Sequence, residues 1–302
     1  MAAWQESQPS KSMRRTGFPF SLAFFSISVV LGSLAQTGQQ TPPAPTLSAE
    51  KLVKQVVDNE LYVDKNDHSH WMYLDSDKHP TKSTLKLVVE TAEATVSRTL
   101  EINGRPLTAR ERAADEAKME RVLNDPAVRE KQRKTAEHDD QQGRALTRMV
   151  AHAFLWKKVS ESNGRVILHF EPNPAFQPPT FESRVFAAMT GEMEVDTAQK
   201  RLVSLSGKLF QPVDFGWGFL GRLQPGGTFR VVRTEVAPHE WEITETHVHI
   251  NGHAFLIKSI DEQEDEITSH YKPVPPSLTL RQAIDMLNNG TIGKQLGVSP
   301  AK

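Results

Sequence analysis

Residues 155–171 read LWKKVSESNGRVILHFE, and this stretch decides the fold class. Two short runs, Leu155–Glu161 and Val166–Glu171, flank Ser162-Asn163-Gly164-Arg165. Both central residues of a two-residue type I′ turn need positive φ, which Asn and Gly adopt at least cost. The stretch therefore predicts an antiparallel hairpin. Downstream, Gly191–Asp196 and Arg201–Phe210 predict a second hairpin. In it Val203, Leu205, Gly207 and Leu209 alternate with Ser204, Ser206 and Lys208, the pattern of a strand with one buried face. Further strands are expected at Thr228–Val236, Glu240–Ile250, His253–Ile260 and Glu264–His270. Upstream, Ser69–Leu74 and Leu85–Ile102 read as strands, the second ending at Asn103-Gly104. Sequential hairpins imply an α+β fold: a curved antiparallel meander sheet of seven or more strands, with helices covering one face.

The helices carry their own signals. Ser48 is an N-cap for a helix whose apolar residues are Leu52, Val53, Val56 and Val57, expected to end near Asn59. Thr108–Val150 is rich in charges of both signs and poor in large apolar groups. Asp125-Pro126 inside it is a cap followed by proline at the first helical position, so helices are expected over 109–124 and 126–150, largely solvated. A short helix is expected over Phe181–Met189, and Thr279 caps a closing helix through Leu287. No internal repeat is visible. Residues 48–290 thus read as one α+β domain with a charged helical insertion at 108–150.

Ahead of the domain, Arg14 and Arg15 precede the uncharged stretch Phe18–Leu34, and Ser33-Leu34-Ala35 ends it with small residues. This is the order of a cleaved secretory signal over residues 1–35, with Met13 as an alternative start. Residues 36–47 form a Pro/Thr/Gln linker. Pro19, Gly32 and several serines interrupt the apolar stretch, which falls short of the ~20 apolar residues of a stable transmembrane anchor. The expected location is periplasmic or secreted. The chain has no cysteine, which excludes a lipidated cleavage site, disulfides and thiolate metal centres. With 36 Lys+Arg against 37 Asp+Glu, no basic face for nucleic acid is expected.

Motifs of catalysis are sparse. There is no G-x-S-x-G and no HExxH, and no catalytic residue, metal or cofactor is assigned. His247, His249 and His253 cluster, but a turn at Asn251-Gly252 would pair Ile250 with His253 and set Val248 against Phe255 and Glu245 against Lys258. His253 would then face away from the other two, leaving two ligands where zinc wants three or four. His68, His70 and His79, among Asp67, Asp75 and Asp77, could complete a set with His247 and His249 only if the fold joined the two groups. Gly216-Trp217-Gly218-Phe219-Leu220-Gly221 lacks the spacing and lysine of a phosphate loop. Large apolar residues near breaks in regular structure, Phe176, Phe181, Phe186, Trp217, Phe219 and Leu223, are the candidate lining of a ligand cleft.

Several stretches resemble a group of uncharacterised exported bacterial proteins. They are Phe170-Glu171-Pro172-Asn173-Pro174, Gln177-Pro178-Pro179-Thr180-Phe181-Glu182-Ser183-Arg184-Val185, Gly191–Asp196, Asp214-Phe215-Gly216-Trp217-Gly218 and Gly221-Arg222-Leu223. More distantly, the signal, first helix, meander and interrupting helix resemble the LolA/LolB-like lipoprotein-carrier fold. That resemblance implies a non-enzymatic, carrier-like envelope protein that binds lipid or lipoprotein acyl chains between sheet and helices. Two other readings are open: an interaction scaffold using the charged helices, and a metal-dependent hydrolase using His68, His70, His247 and His249.

Overall fold

The computed structural model describes residues 48–180, 182–215, 221–254 and 258–297. The expected signal and linker, and Phe181, Trp217 and Phe219, lie outside the described residues. The chain runs α1 (Ala49–Asn66), β1 (Trp71–His79), β2 (Lys82–Glu90), β3 (Thr95–Ile102), β4 (Arg105–Pro106), α2 (Ala109–Asn124) and α3 (Pro126–Ala153). It continues through β5 (Phe154–Ser162), β6 (Arg165–Pro172), a 3-10 turn (Glu182–Ala188), β7 (Met189–Asp196), β8 (Arg201–Leu209), β9 (Val213–Phe215) and β10 (Gly221–Leu223). It closes with β11 (Thr228–Ala237), β12 (Glu240–Ala254), β13 (Lys258–Pro273), α4 (Leu280–Asn288) and α5 (Thr291–Leu296).

Among the described residues, 13 strands join one antiparallel sheet in the order β4-β3-β2-β1-β13-β12-β11-β8-β7-β6-β5, with β10 on β12 and β9 on β10. The fold is α+β with a largely meandering sheet. Its longest-range step seats β1 beside β13, bringing the two ends of the domain together.

Local chemistry explains the boundaries. Asn163 and Gly164 both have positive φ, and β5 and β6 pair across them. Thr108 and Glu111 form a reciprocal capping box at the start of α2, and Asp125 accepts from the Ala127 N–H at the start of α3. Helix α1 runs to Asn66, about two turns beyond the expected end. The buried stripe continues past Val57 to Glu60, whose charge is met by arginines of the sheet. The expected strand 85–102 is two strands. Thr91 N–H and Oγ1 both donate to Ala94 O, closing a turn that contains no Gly, Pro or Asn.

The C-terminal hairpin corrects the expected register. Asn251-Gly252 is not a turn. β12 continues through it to Ala254, and Asn251 pairs with Asp261, Val248 with Glu264 and Glu245 with Ile267. The connection lies at residues 255–257, outside the described residues. Gly252 is used for close approach: a Cβ there would lie 2.4 Å from the Arg222 carbonyl oxygen of β10.

Among the described residues two large apolar cores result, beside a small cluster of Trp71, Tyr73 and Val88. The larger joins α1 and α3 to β5–β8, β11 and β12 through residues such as Val53, Val56, Leu168, Phe170 and Val248. The smaller joins α2, α4 and α5 to β1–β3. Met72, Leu74 and Val89 enter it from the sheet, Met119 from α2, and Leu280, Ile284 and Leu287 from α4. Strand alternation places the two cores on opposite faces. Val248 pairs with Glu264 and Asp77 with Glu266, so Val248 shares a face with Asp75 and Asp77, whereas Met72 and Leu74 point the other way. The helices therefore divide between the two faces, where the sequence predicts a single covered face. Among the described residues no helix is long and apolar enough to cross a membrane.

Candidate functional site

Three of the six expected cleft residues are described, and they meet in the larger core. Phe186 is 2 % exposed and Leu223 1 %, and half-buried Phe176 packs against the same cluster. The Phe186 ring centroid lies 5.3 Å from that of Phe154 and 6.3 Å from that of Phe176. Phe181, Trp217 and Phe219 lie outside the described residues.

Helix α1 is fixed over this apolar layer by a buried ionic group. Arg201 Nε donates to Glu60 Oε1 at 2.9 Å, the Leu202 N–H donates to the same oxygen at 2.8 Å, and Arg233 Nη1 donates to Glu60 Oε2. Arg201 also lies over the Trp241 ring, 6.0 Å from its centroid. A buried carboxylate with two guanidinium partners keeps its charge compensated.

The histidine groups do not merge. His247 and His249 flank one acid of β13: His247 Nδ1 lies 2.6 Å and His249 Nε2 3.1 Å from Asp265 Oδ1. The His247 hydrogen bond holds the Asp265 carboxyl below the usual carboxylate range. His68 and His70 lie between α1 and β1. His79, on β1, belongs to a different constellation on the opposite face of the sheet from His247 and His249.

That constellation is a row of polar groups running across four strands of the sheet. Across β12, β13, β1 and β2, Thr246 pairs with Glu266, Glu266 with Asp77, and Asp77 with Thr84. One row along, Asp75 pairs with Lys86, and Lys86 Nζ lies 3.1 Å from Asp75 Oδ2 and 3.8 Å from Asp77 Oδ2. His79 Nε2 lies 3.2 Å from Asp77 Oδ1. Burial pushes the Asp75 carboxyl up. Burial, with the charges of Asp75, Glu264 and Asp77, pushes Glu266 up to about 8. Stacked Tyr73 and Tyr271, with ring centroids 4.9 Å apart, continue the face beyond Asp75.

No protein-family model matches the chain, and no curated protein matches it. The sequence points to His79 and Asp77 but not to Glu264. The signal is the charged alternation Asp75, Asp77, His79, a face too polar for an ordinary buried strand.

Proposed function

We propose that the chain is an exported, non-enzymatic envelope protein that binds an amphipathic ligand, a lipid or a lipoprotein acyl chain, between its sheet and helices. The observation that carries the reading is the layer of α1, α3 and the 3-10 turn over one face of the sheet, where Phe186 of the turn packs with Phe154 and Phe170 of the strands. A curved sheet is part of the proposal. Val236 and Ala237 of β11 pack against the Trp71/Tyr73/Val88 cluster, although β12 and β13 separate β11 from β1. Three strand spacings are about 14 Å in a flat sheet, so this contact favours curling. The resemblance to LolA/LolB-like carriers supplies the ligand class.

Native mass spectrometry of protein purified from the periplasm tests the reading, together with uptake of a fluorescent fatty acid. A copurifying lipid, or saturable uptake by delipidated protein, is expected. Absence of both overturns it.

A further inference from the structure

Asp77 and His79 of β1 and Glu264 of β13 each offer a ligand atom, and the three atoms lie within 4.8 Å of one another. Two elements hold them. Asp77 and His79 are two apart on one strand, so they share a face, and β13 brings Glu264 to that face through the β1–β13 pairing. We propose that Asp77, His79 and Glu264 bind a first-row divalent cation of the zinc or manganese type.

The donor set fits that class. One imidazole with two carboxylates and no thiolate suits borderline divalent ions and disfavours soft ones. Ligand atoms around such an ion sit roughly 3–3.5 Å apart, given metal–ligand bonds of about 2.1 Å. Three protein ligands leave coordination positions open.

An independent observation points to a ligand here. Thr246 is 2 % exposed and its Oγ1 has no hydrogen-bond partner, and it faces Glu266 in the same cross-strand row. The Asp75 side chain is 7 % exposed; its Oδ2 meets Lys86, while its Oδ1 has no partner. Thr84 Oγ1 is likewise buried and without a hydrogen bond. Buried oxygens left without partners cost free energy, and here three of them gather on one face. Lys86 draws Oδ2 of Asp75 and Asp77 to one side, which orients the Asp77 carboxylate as outer partners do in metal sites.

The test uses tag-free protein, stripped with chelator and dialysed separately against Zn2+ and Mn2+, with bound metal read by elemental analysis. About one equivalent of one ion is expected, with a rise in Tm on binding. His79→Ala and Glu264→Gln should weaken binding at least ~100-fold. The double variant His247→Ala/His249→Ala, on the other face, should bind as the wild type does. Circular dichroism checks folding, and the half-exposed His79 side chain makes His79→Ala the deciding variant should Glu264→Gln fail to fold. Less than about 0.2 equivalents on the wild type, full binding by His79→Ala, or loss only in His247→Ala/His249→Ala overturns the proposal.

Discussion

Glu60 of α1 and Arg201 of β8, 141 residues apart, form a buried salt bridge that ties the first helix to the middle of the sheet. Removing one partner strands the other charge in the interior. Glu60→Leu should therefore cost about 3–5 kcal/mol, read as a lower urea midpoint, because Arg201 and Arg233 both lose their counter-charge. The exposed pair Lys54–Asp58 on the same helix is the control. Asp58→Asn should cost under about 0.5 kcal/mol. Equal losses in the two variants would contradict the special role of Glu60.

Gly191 and Gly207 pair directly across β7 and β8, and each sits beneath an aromatic ring. A Cβ at Gly207 would lie 2.4 Å from Phe229 Cε1, and one at Gly191 2.0 Å from the Ser206 carbonyl oxygen. Both alanine variants should be destabilised by roughly 1–3 kcal/mol or more. They should differ in rescue. Phe229→Leu removes the main obstacle at Gly207 and should recover part of the loss in Gly207→Ala. The main obstacle at Gly191 is backbone, so Phe170→Leu should not recover Gly191→Ala. Chemical denaturation of the four single and two double variants checks this.

What was legible in the sequence follows the range of the interactions. The start of α2, the α2–α3 break and the β5–β6 hairpin are set by Thr108, Asp125, Pro126, Asn163 and Gly164, each acting on backbone within a few residues. Asn251-Gly252 carries the same local signal as Asn163-Gly164, yet it lies within β12. There the approach of β10 and the long pairing with β13 override the turn preference. The polar constellation was half legible. Asp75, Asp77 and His79 alternate visibly on one strand, but Glu264 and Glu266 join them only through the pairing of the domain's first and last strands, which no local pattern announces.

Glu266 gives a pH prediction. Its carboxyl is pushed up to about 8, against an ordinary value of 4.5, mainly by burial. Between those values the folded protein keeps a proton that the unfolded chain has released. The folded state is therefore favoured at the acid end of this window, and stability falls as pH rises towards 8. The loss is on the order of 3 kcal/mol. In the presence of a chelator, Tm should decline from about pH 5 to about pH 8, and Glu266→Gln should flatten the decline. An unchanged slope in Glu266→Gln would assign it to other groups.

Phe176 and Phe186 separate packing from ligand contact. Phe186 is buried among Phe154 and the residues of α1 and α3, so Phe186→Ala opens a cavity and should cost about 3–5 kcal/mol. Phe176 is half-buried at the edge of the same cluster, and Phe176→Ala removes less contact, so its cost should be about 1 kcal/mol. The proposed ligand role reverses their order of importance. A residue at the rim of an acyl-binding layer should affect uptake of a fluorescent fatty acid more than it affects stability. Phe176→Ala should thus weaken uptake several-fold while the urea midpoint moves little. Uptake equal to wild type in a folded Phe176→Ala protein would remove Phe176 from the ligand surface and leave it as a packing residue of the core.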